Sequence, residues 1–184
     1  MTCVDNSAEM LSVLSRKLTE RNLSADVLCQ DVCELSVPCL FDLAILPFQS
    51  FMEIVGEKRQ RDALAAVFAA LNPNGRFICT MHNPAVRRSS VDGTLRVVGD
   101  VPLGEGTLVV SGFERGGDPI VRRLQFFEYY SAGGALIWKR ILPMQFQFIE
   151  AESFQRMAEG AGFTVDDLLG DYRGTPFDAD LSPV

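Results

Sequence analysis

The chain is short of positive charge. Its 184 residues carry 17 Lys and Arg against 24 Asp and Glu, a formal net charge of −7. Binding to a phosphate backbone calls for a basic face. The doublets Arg87-Arg88 and Arg122-Arg123 are too short to provide one, so no nucleic-acid partner is expected. Long apolar runs are also missing. None reaches the roughly 20 residues of a membrane-spanning helix, and Met1 opens no leader-like segment. No membrane partner is expected, and the cytoplasm is the expected location. Histidine occurs once, at His82, and the five cysteines (Cys3, Cys29, Cys33, Cys39 and Cys79) form no Cys-x-x-Cys pair. Cys29, Cys33 and Cys39 lack zinc-site spacing and an obvious fourth ligand, so no metal is expected. Three of the cysteines fall on predicted strands or strand ends, where a thiol behaves as a small hydrophobe. Repeats, low-complexity tracts and linkers are absent as well. The length then suits a single domain over residues 1–184 with a sizeable core.

What is present has a rhythm. Thr2-Cys3-Val4-Asp5 is a short β-branched run ending in an acid. Met10, Leu11, Leu14 and Leu18 form one stripe of a helix over 7–21, which Asn6 and Glu9 start in the manner of a capping box. Ala25–Cys29 is a second strand, ending in Gln30-Asp31, and Phe41–Leu46 is a third. The near-continuous apolar character of the third strand indicates burial on both faces, as in a parallel sheet. A helix over 58–71 places Leu64, Val67, Phe68 and Leu71 on one side, Asn72-Pro73-Asn74-Gly75 stops it, and a fourth strand is expected over 76–81. Strands and helices that alternate over short connections predict a doubly wound α/β fold.

The helical period disappears between residues 86 and 149. Strand-like runs near 94–98, 107–114, 120–130, 135–142 and 144–149 alternate with the turn candidates Gly116–Pro119 and Ser131–Gly134. This stretch reads as an antiparallel β insertion before the last helix, covering one end of the parallel sheet. Phe154, Met157, Ala158 and Ala161 then mark a helix that Gly160 and Gly162 end. A further strand is expected from Phe163, and 170–177 reads as a loop.

An acid at the carboxyl end of a parallel strand, facing a helix start, is where such folds hold a ribose. Asp5 occupies that position, and Asp31 follows the second strand in the same way. Each also suits plain helix capping. His82 follows the fourth strand, where sites form, and its titration range suits a general base. It equally suits an ordinary loop histidine, and Asp171 and Tyr172 are weaker candidates of the same kind.

Five segments in order resemble the class I S-adenosylmethionine-dependent methyltransferases. Val4-Asp5-Asn6-Ser7-Ala8-Glu9-Met10-Leu11 is similar to the family's ribose-binding segment. Gln30-Asp31-Val32 resembles the motif whose acid accepts from the adenine amino group. Phe41–Phe48 resembles the strand that ends at the methyl-transfer site, and Leu71–Phe77 the turn into the following strand. Ala161-Gly162-Phe163 with Gly170-Asp171-Tyr172 resembles a late helix-to-strand turn and its loop. The resemblance implies a Rossmann-like, mainly parallel sheet and S-adenosylmethionine as cofactor, bound by Asp5, Asn6, Met10, Asp31, Val32 and Leu46. It also implies methyl transfer to an N or O atom of a small-molecule acceptor, for which His82, by its place after the fourth strand, is the candidate catalytic base. The β-rich insertion of one subgroup of the family usually covers the acceptor, so Tyr129, Tyr130, Trp138 and Arg140, which lie in it, are candidate acceptor contacts, together with Phe48 after the third strand and Tyr172 in the late loop. The same aromatics would equally serve to fasten the insertion.

The family's first strand, glycine-rich loop and helix, which cradle the methionine half of the cofactor, have no counterpart before Asp5. Gly104-Glu105-Gly106 lacks the strand-before, helix-after context. The missing strand would lie between those ending at Asp5 and Leu46, leaving an incomplete sheet, and one more antiparallel strand is expected after Val184. An incomplete sheet exposes unpaired edges, which invites homo-oligomer formation or direct reseating of the neighbouring strands. The alternative reading is therefore a truncated, catalytically inactive domain that binds a ligand or partner. A nicotinamide-dependent Rossmann enzyme fits the later motifs less well.

Overall fold

The computed structural model describes residues 1–184. Its elements run β1 (Thr2–Asp5), α1 (Ala8–Glu20), β2 (Asp26–Cys29), β3 (Phe41–Leu46), α2 (Glu57–Ala69), β4 (Leu71–Cys79), α3 (Pro84–Arg87), β5 (Arg96–Leu103), β6 (Gly106–Gly116), β7 (Ile120–Tyr130), β8 (Leu136–Gln147) and α4 (Ala151–Gly160). They fall into two compact units. One is Met1–Leu46, Gly56–Cys79 and Gln155–Val165; the other is Pro47–Val55, Thr80–Phe154 and Asp166–Val184.

The first unit holds the parallel strands. β1 pairs with β2, with Asp5 opposite Cys29, and β3 pairs with β4, with Leu46 opposite Cys79. No ladder joins β1 to β3, so the parallel layer consists of two pairs. Of the two outcomes expected for a missing central strand, the exposed edge is found and reseating is not. α1 starts one residue later than the sequence pattern indicates. The Asp5 carboxylate accepts the Ser7 N–H at 2.8 Å and turns the chain, so that Ser7 becomes the cap and its hydroxyl accepts the Met10 N–H at 3.2 Å. α2 turns Gln60, Ala63, Leu64 and Val67 inward, and they are buried. β4 begins five residues earlier than expected. Phe41 pairs with Leu71 and Leu43 with Arg76, so 72–75 bulge within the strand instead of preceding it. Gly75 is needed there, because a Cβ would lie 2.9 Å from the Asn72 carbonyl oxygen and 3.0 Å from that of Phe41.

The strand expected at Phe163 does not form. The Phe163 N–H turns back to the Ala158 carbonyl at the end of α4, with Gly162 at φ 105°. The ring stacks edge-on against Phe68 at 5.0 Å and lies 5.5 Å from Phe77. The segment therefore acts as an aromatic anchor.

The second unit is organised around an antiparallel meander in the order β5-β6-β7-β8. The five expected runs become four strands, because the last two fuse into β8. Pro143 is accommodated there because β8 is an edge strand, where a missing N–H costs no ladder bond. Gly104-Glu105 is the hairpin turn between β5 and β6. The alternation of β6, β7 and β8 sets two faces. One end of one face carries Val121 and Phe146, which cluster with Met52, Phe148, Met81 and Val91 to form the unit's core.

Candidate functional site

The first unit brings two acids to neighbouring strand ends. Asp5 closes β1, Asp31 lies two residues beyond β2, and the Gln30 N–H donates to the Asp5 carbonyl at 3.1 Å. Asp5 uses Oδ1 on Ser7, and its other oxygen remains available to accept from a ligand. Asp31 is more heavily engaged. Its Oδ1 accepts the Cys33 N–H at 2.9 Å, capping a 3₁₀ turn, and its Oδ2 accepts from Arg59 at 2.6 Å. The Cys33 N–H, ahead of the Arg59 charge, holds the Asp31 carboxyl below its ordinary range against an opposing effect of burial. Each carboxylate oxygen has two lone pairs, so Asp31 keeps acceptor capacity.

Asn6 and Met10 are exposed at the start of α1, and Val32 and Leu46 are half-buried at strand ends. This donor and acceptor set fits the nucleoside half of S-adenosylmethionine, whose ribose hydroxyls and exocyclic amine are donors.

The remaining candidates lie in the second unit. Tyr129 and Trp138 face each other across β7 and β8 and stack at 5.7 Å. The Arg140 guanidinium lies 5.7 Å from the Trp138 ring centroid, and the Tyr129 hydroxyl donates to the Leu103 carbonyl at 3.0 Å. These three share one sheet face, and Tyr130 alternates to the other. Phe48, at φ 56°, and Tyr172 sit in exposed loops. Asp171 accepts the Arg173 and Thr175 N–H groups and the Thr175 hydroxyl, which makes it a loop-closing residue.

His82 is half-buried. Its ordinary value of 6.5 is lowered first by burial and then by the Arg87 and Arg123 charges, against Glu114 and a bond to the Pro183 carbonyl. A neutral imidazole has one N–H; with the Pro183 carbonyl taking it, the other ring nitrogen keeps its lone pair. The group that sets this environment was not foreseen. Glu114 on β6 is nine-tenths buried and bridges Arg87 and Arg123, with Arg123 Nε donating at 2.6 Å. Three of the four arginines in the doublets that looked too short for a basic patch are ion-pair partners, Arg87 and Arg123 of Glu114 and Arg88 of Asp118 and Glu150. The available signal was an acid on the same alternating face as Val110 and Gly112.

Residues 1–75 match a family model described as a methyltransferase domain. A comparison with curated protein sequences finds no match. Among solved structures, the chain is similar to an S-adenosylmethionine-dependent methyltransferase from Clostridium acetobutylicum at 19% identity and TM-score 0.79, covering 96% of this chain and 69% of that one. It is similar to the CcbJ methyltransferase from Streptomyces caelestis at 20% identity and TM-score 0.77, covering 99% and 70%. It also resembles an amino pentose methyltransferase from Micromonospora echinaspora, solved with S-adenosylmethionine bound, at 16% identity and TM-score 0.73, covering 94% and 70%. At these identities the likeness establishes the fold.

Proposed function

We propose that this chain, whose residues 1–75 match a methyltransferase-domain model and whose fold resembles that of solved S-adenosylmethionine-dependent methyltransferases, transfers a methyl group to an N or O atom of a small molecule. The observation that carries the reading is the pair of acids, Asp5 and Asp31, at the ends of adjacent parallel strands. Asp5 accepts from the ribose through its second oxygen, and Asp31 from the adenine amine. When bound, S-adenosylmethionine supplies a methyl group on a sulfonium sulfur. Such a transfer needs little covalent help beyond an aligned acceptor lone pair. A neutral His82 suits the uptake of the proton that an amine acceptor must lose. The amine is favoured by the likeness to an amino pentose methyltransferase. Stacked Tyr129 and Trp138 lie six residues along β7 from Arg123, roughly 20 Å at the rise of a β-strand, so an acceptor that hands its proton to His82 does not rest on that stack.

A second reading is a methyltransferase-like module that binds a ligand or partner without turnover. It is favoured by β1 and β3, which leave ladder edges unpaired. Calorimetry with S-adenosylmethionine, followed by a mass-gain assay on amino sugars, separates the two. Micromolar binding that weakens at least tenfold in Asp5→Ala, with methylated product, supports the enzyme. Binding without product supports the module. No heat up to millimolar cofactor rejects both roles for Asp5.

A further inference from the structure

His82 is held at its backbone and at its ring by different parts of the second unit. Its backbone N–H donates to the Met52 sulfur at 3.3 Å, and Met52 is fully buried. Its ring N–H donates to the Pro183 carbonyl. The bond made by one ring nitrogen decides which nitrogen carries the proton and how the ring is turned. Whatever fixes the Pro183 carbonyl therefore also fixes the imidazole.

The next residue in sequence reaches that part of the chain. Asn83 is only 5% exposed, so its two N–H donors and its carbonyl oxygen all need partners. The oxygen accepts the Ala85 N–H at 3.1 Å and caps α3. The amide nitrogen donates to the carbonyls of Ala179 and Ser182, each at 2.9 Å, with that of Asp178 at 3.5 Å. These carbonyls belong to one turn, closed on itself. Asp178 Oδ1 accepts the Asp180 and Leu181 N–H groups at 2.9 and 3.1 Å, the Ser182 N–H donates to the Asp178 carbonyl at 3.0 Å, and the Ser182 hydroxyl accepts the Asp178 N–H at 2.8 Å. A cap alone needs only an oxygen, which serine or aspartate supplies equally well. The amide nitrogen is what asparagine adds. The turn then passes its position on. Ser182 precedes a proline, which biases it to extended backbone, and the Pro183 ring sets φ at about −65°. With the Ser182 carbonyl bound to Asn83, few directions remain for the Pro183 carbonyl.

We propose that Asn83 is a positioning residue for His82: its amide clasps the 178–182 turn, and the turn aims the Pro183 carbonyl at the imidazole, so that one ring nitrogen is held as a donor and the other is left to accept a proton. This inference rests on the reading of His82 as the base of methyl transfer, and Asn83 acts there only through the ring.

His82 is the only histidine, so its ring signals in NMR spectra of the ¹⁵N-labelled full chain are unambiguous. Asn83→Ser tests the clasp, because serine keeps a cap for α3, adds no charge and lacks the amide donors. Circular dichroism checks the fold. Exchange of the ring N–H with water should quicken roughly tenfold as its hydrogen bond loosens. The His82 pKa should fall further, because the Pro183 carbonyl favours the charged ring. The other charges about the ring, Arg87 on α3, Arg123 on β7 and Glu114 on β6, are unchanged in this variant, and Asp178 stays engaged in its own turn. Simple uncovering of the ring would instead raise the value toward 6.5, since burial lowers it most. Pro183→Gly keeps the clasp and frees the carbonyl. It should quicken exchange in the same way, and combining it with Asn83→Ser should add less than about threefold, as for two cuts in one link. Should Asn83→Ser fail to fold, Pro183→Gly decides alone. An unchanged exchange rate in a folded variant overturns the proposal, as does a pKa that rises or a double variant whose effects multiply in full. These readouts need neither S-adenosylmethionine nor an acceptor, so a wild type that yields no methylated amino sugar sinks the proposed activity without deciding the clasp, which the ring signals judge. Where product forms, Asn83→Ser should lower kcat roughly tenfold at unchanged KM. A wild-type kcat in that variant overturns the positioning role.

Discussion

The two β regions of this protein are built on opposite plans. The antiparallel sheet completes its own hydrogen bonding. Each strand meets the next through a hairpin, the ladders run for ten or eleven pairs between β6, β7 and β8, and a buried ionic cluster lies at one end. The parallel strands stand as two pairs, four and six residues wide at β1 and β3, with Leu43 and Ile45 of β3 left 49% and 57% exposed. A hairpin brings its own partner within a few residues. A parallel strand depends on a partner delivered by a crossover, and its buried character is satisfied only when both neighbours are present. Local connection completes the pairing of the inner strands of the antiparallel sheet, whereas each parallel strand here has one paired edge and one open edge.

The sharpest way to break that contrast is to attack the ionic cluster. Glu114→Ala leaves Arg87 and Arg123 facing each other in a buried site. Removing one partner of a buried ionic group costs about 3–5 kcal/mol, and the loss should show in the urea midpoint. Replacing Glu114, Arg87 and Arg123 together by Leu and Met should be near neutral. A small effect of Glu114→Ala would mean that the antiparallel unit owes nothing to these charges.

The parallel unit predicts its own contrast. Leu64 on α2 is fully buried, so Leu64→Ala should cost about 2–5 kcal/mol, whereas exposed Leu43→Ser should stay within about 0.5 kcal/mol. A cost above about 1.5 kcal/mol at Leu43 would show that this strand is covered in solution, and the contrast between the two sheets would shrink accordingly.

How far the sequence could be read follows the same division. β1, β2 and β3, α1 and α2, and the acids at the first two strand ends were legible because short periodic runs and turn residues are local signals. The antiparallel nature of 86–149 was legible too, but the break inside β8 was not, because Pro143 looks like a strand end unless its edge position is known. Phe163 misled because a β-branched and aromatic run reads as a strand, and only the rings of Phe68 and Phe77 reveal it as an anchor. The Glu114 cluster draws on Arg87, Glu114 and Arg123, residues far apart in sequence that come together only through the fold. Charge counting alone showed only doublets too short to make a basic face.

The smallest expected effect concerns His82, whose neighbours belong wholly to the antiparallel unit. Burial, Arg87 and Arg123 hold its folded value below 6.5. Above that pH the ring is neutral in both folded and unfolded chains and contributes nothing to the pH dependence. As pH falls through 6.5 the unfolded chain takes up a proton that the folded chain refuses, so stability declines, and the decline stops below the folded value. Urea midpoints of wild type and His82→Gln, compared between about pH 5 and pH 8, should therefore show wild type losing ground toward acid. Arg123→Met should reduce that loss by removing one of the two repelling charges. An Arg123→Met variant that loses as much toward acid as wild type would mean that burial alone lowers the imidazole and that the antiparallel unit holds its ions and its histidine independently.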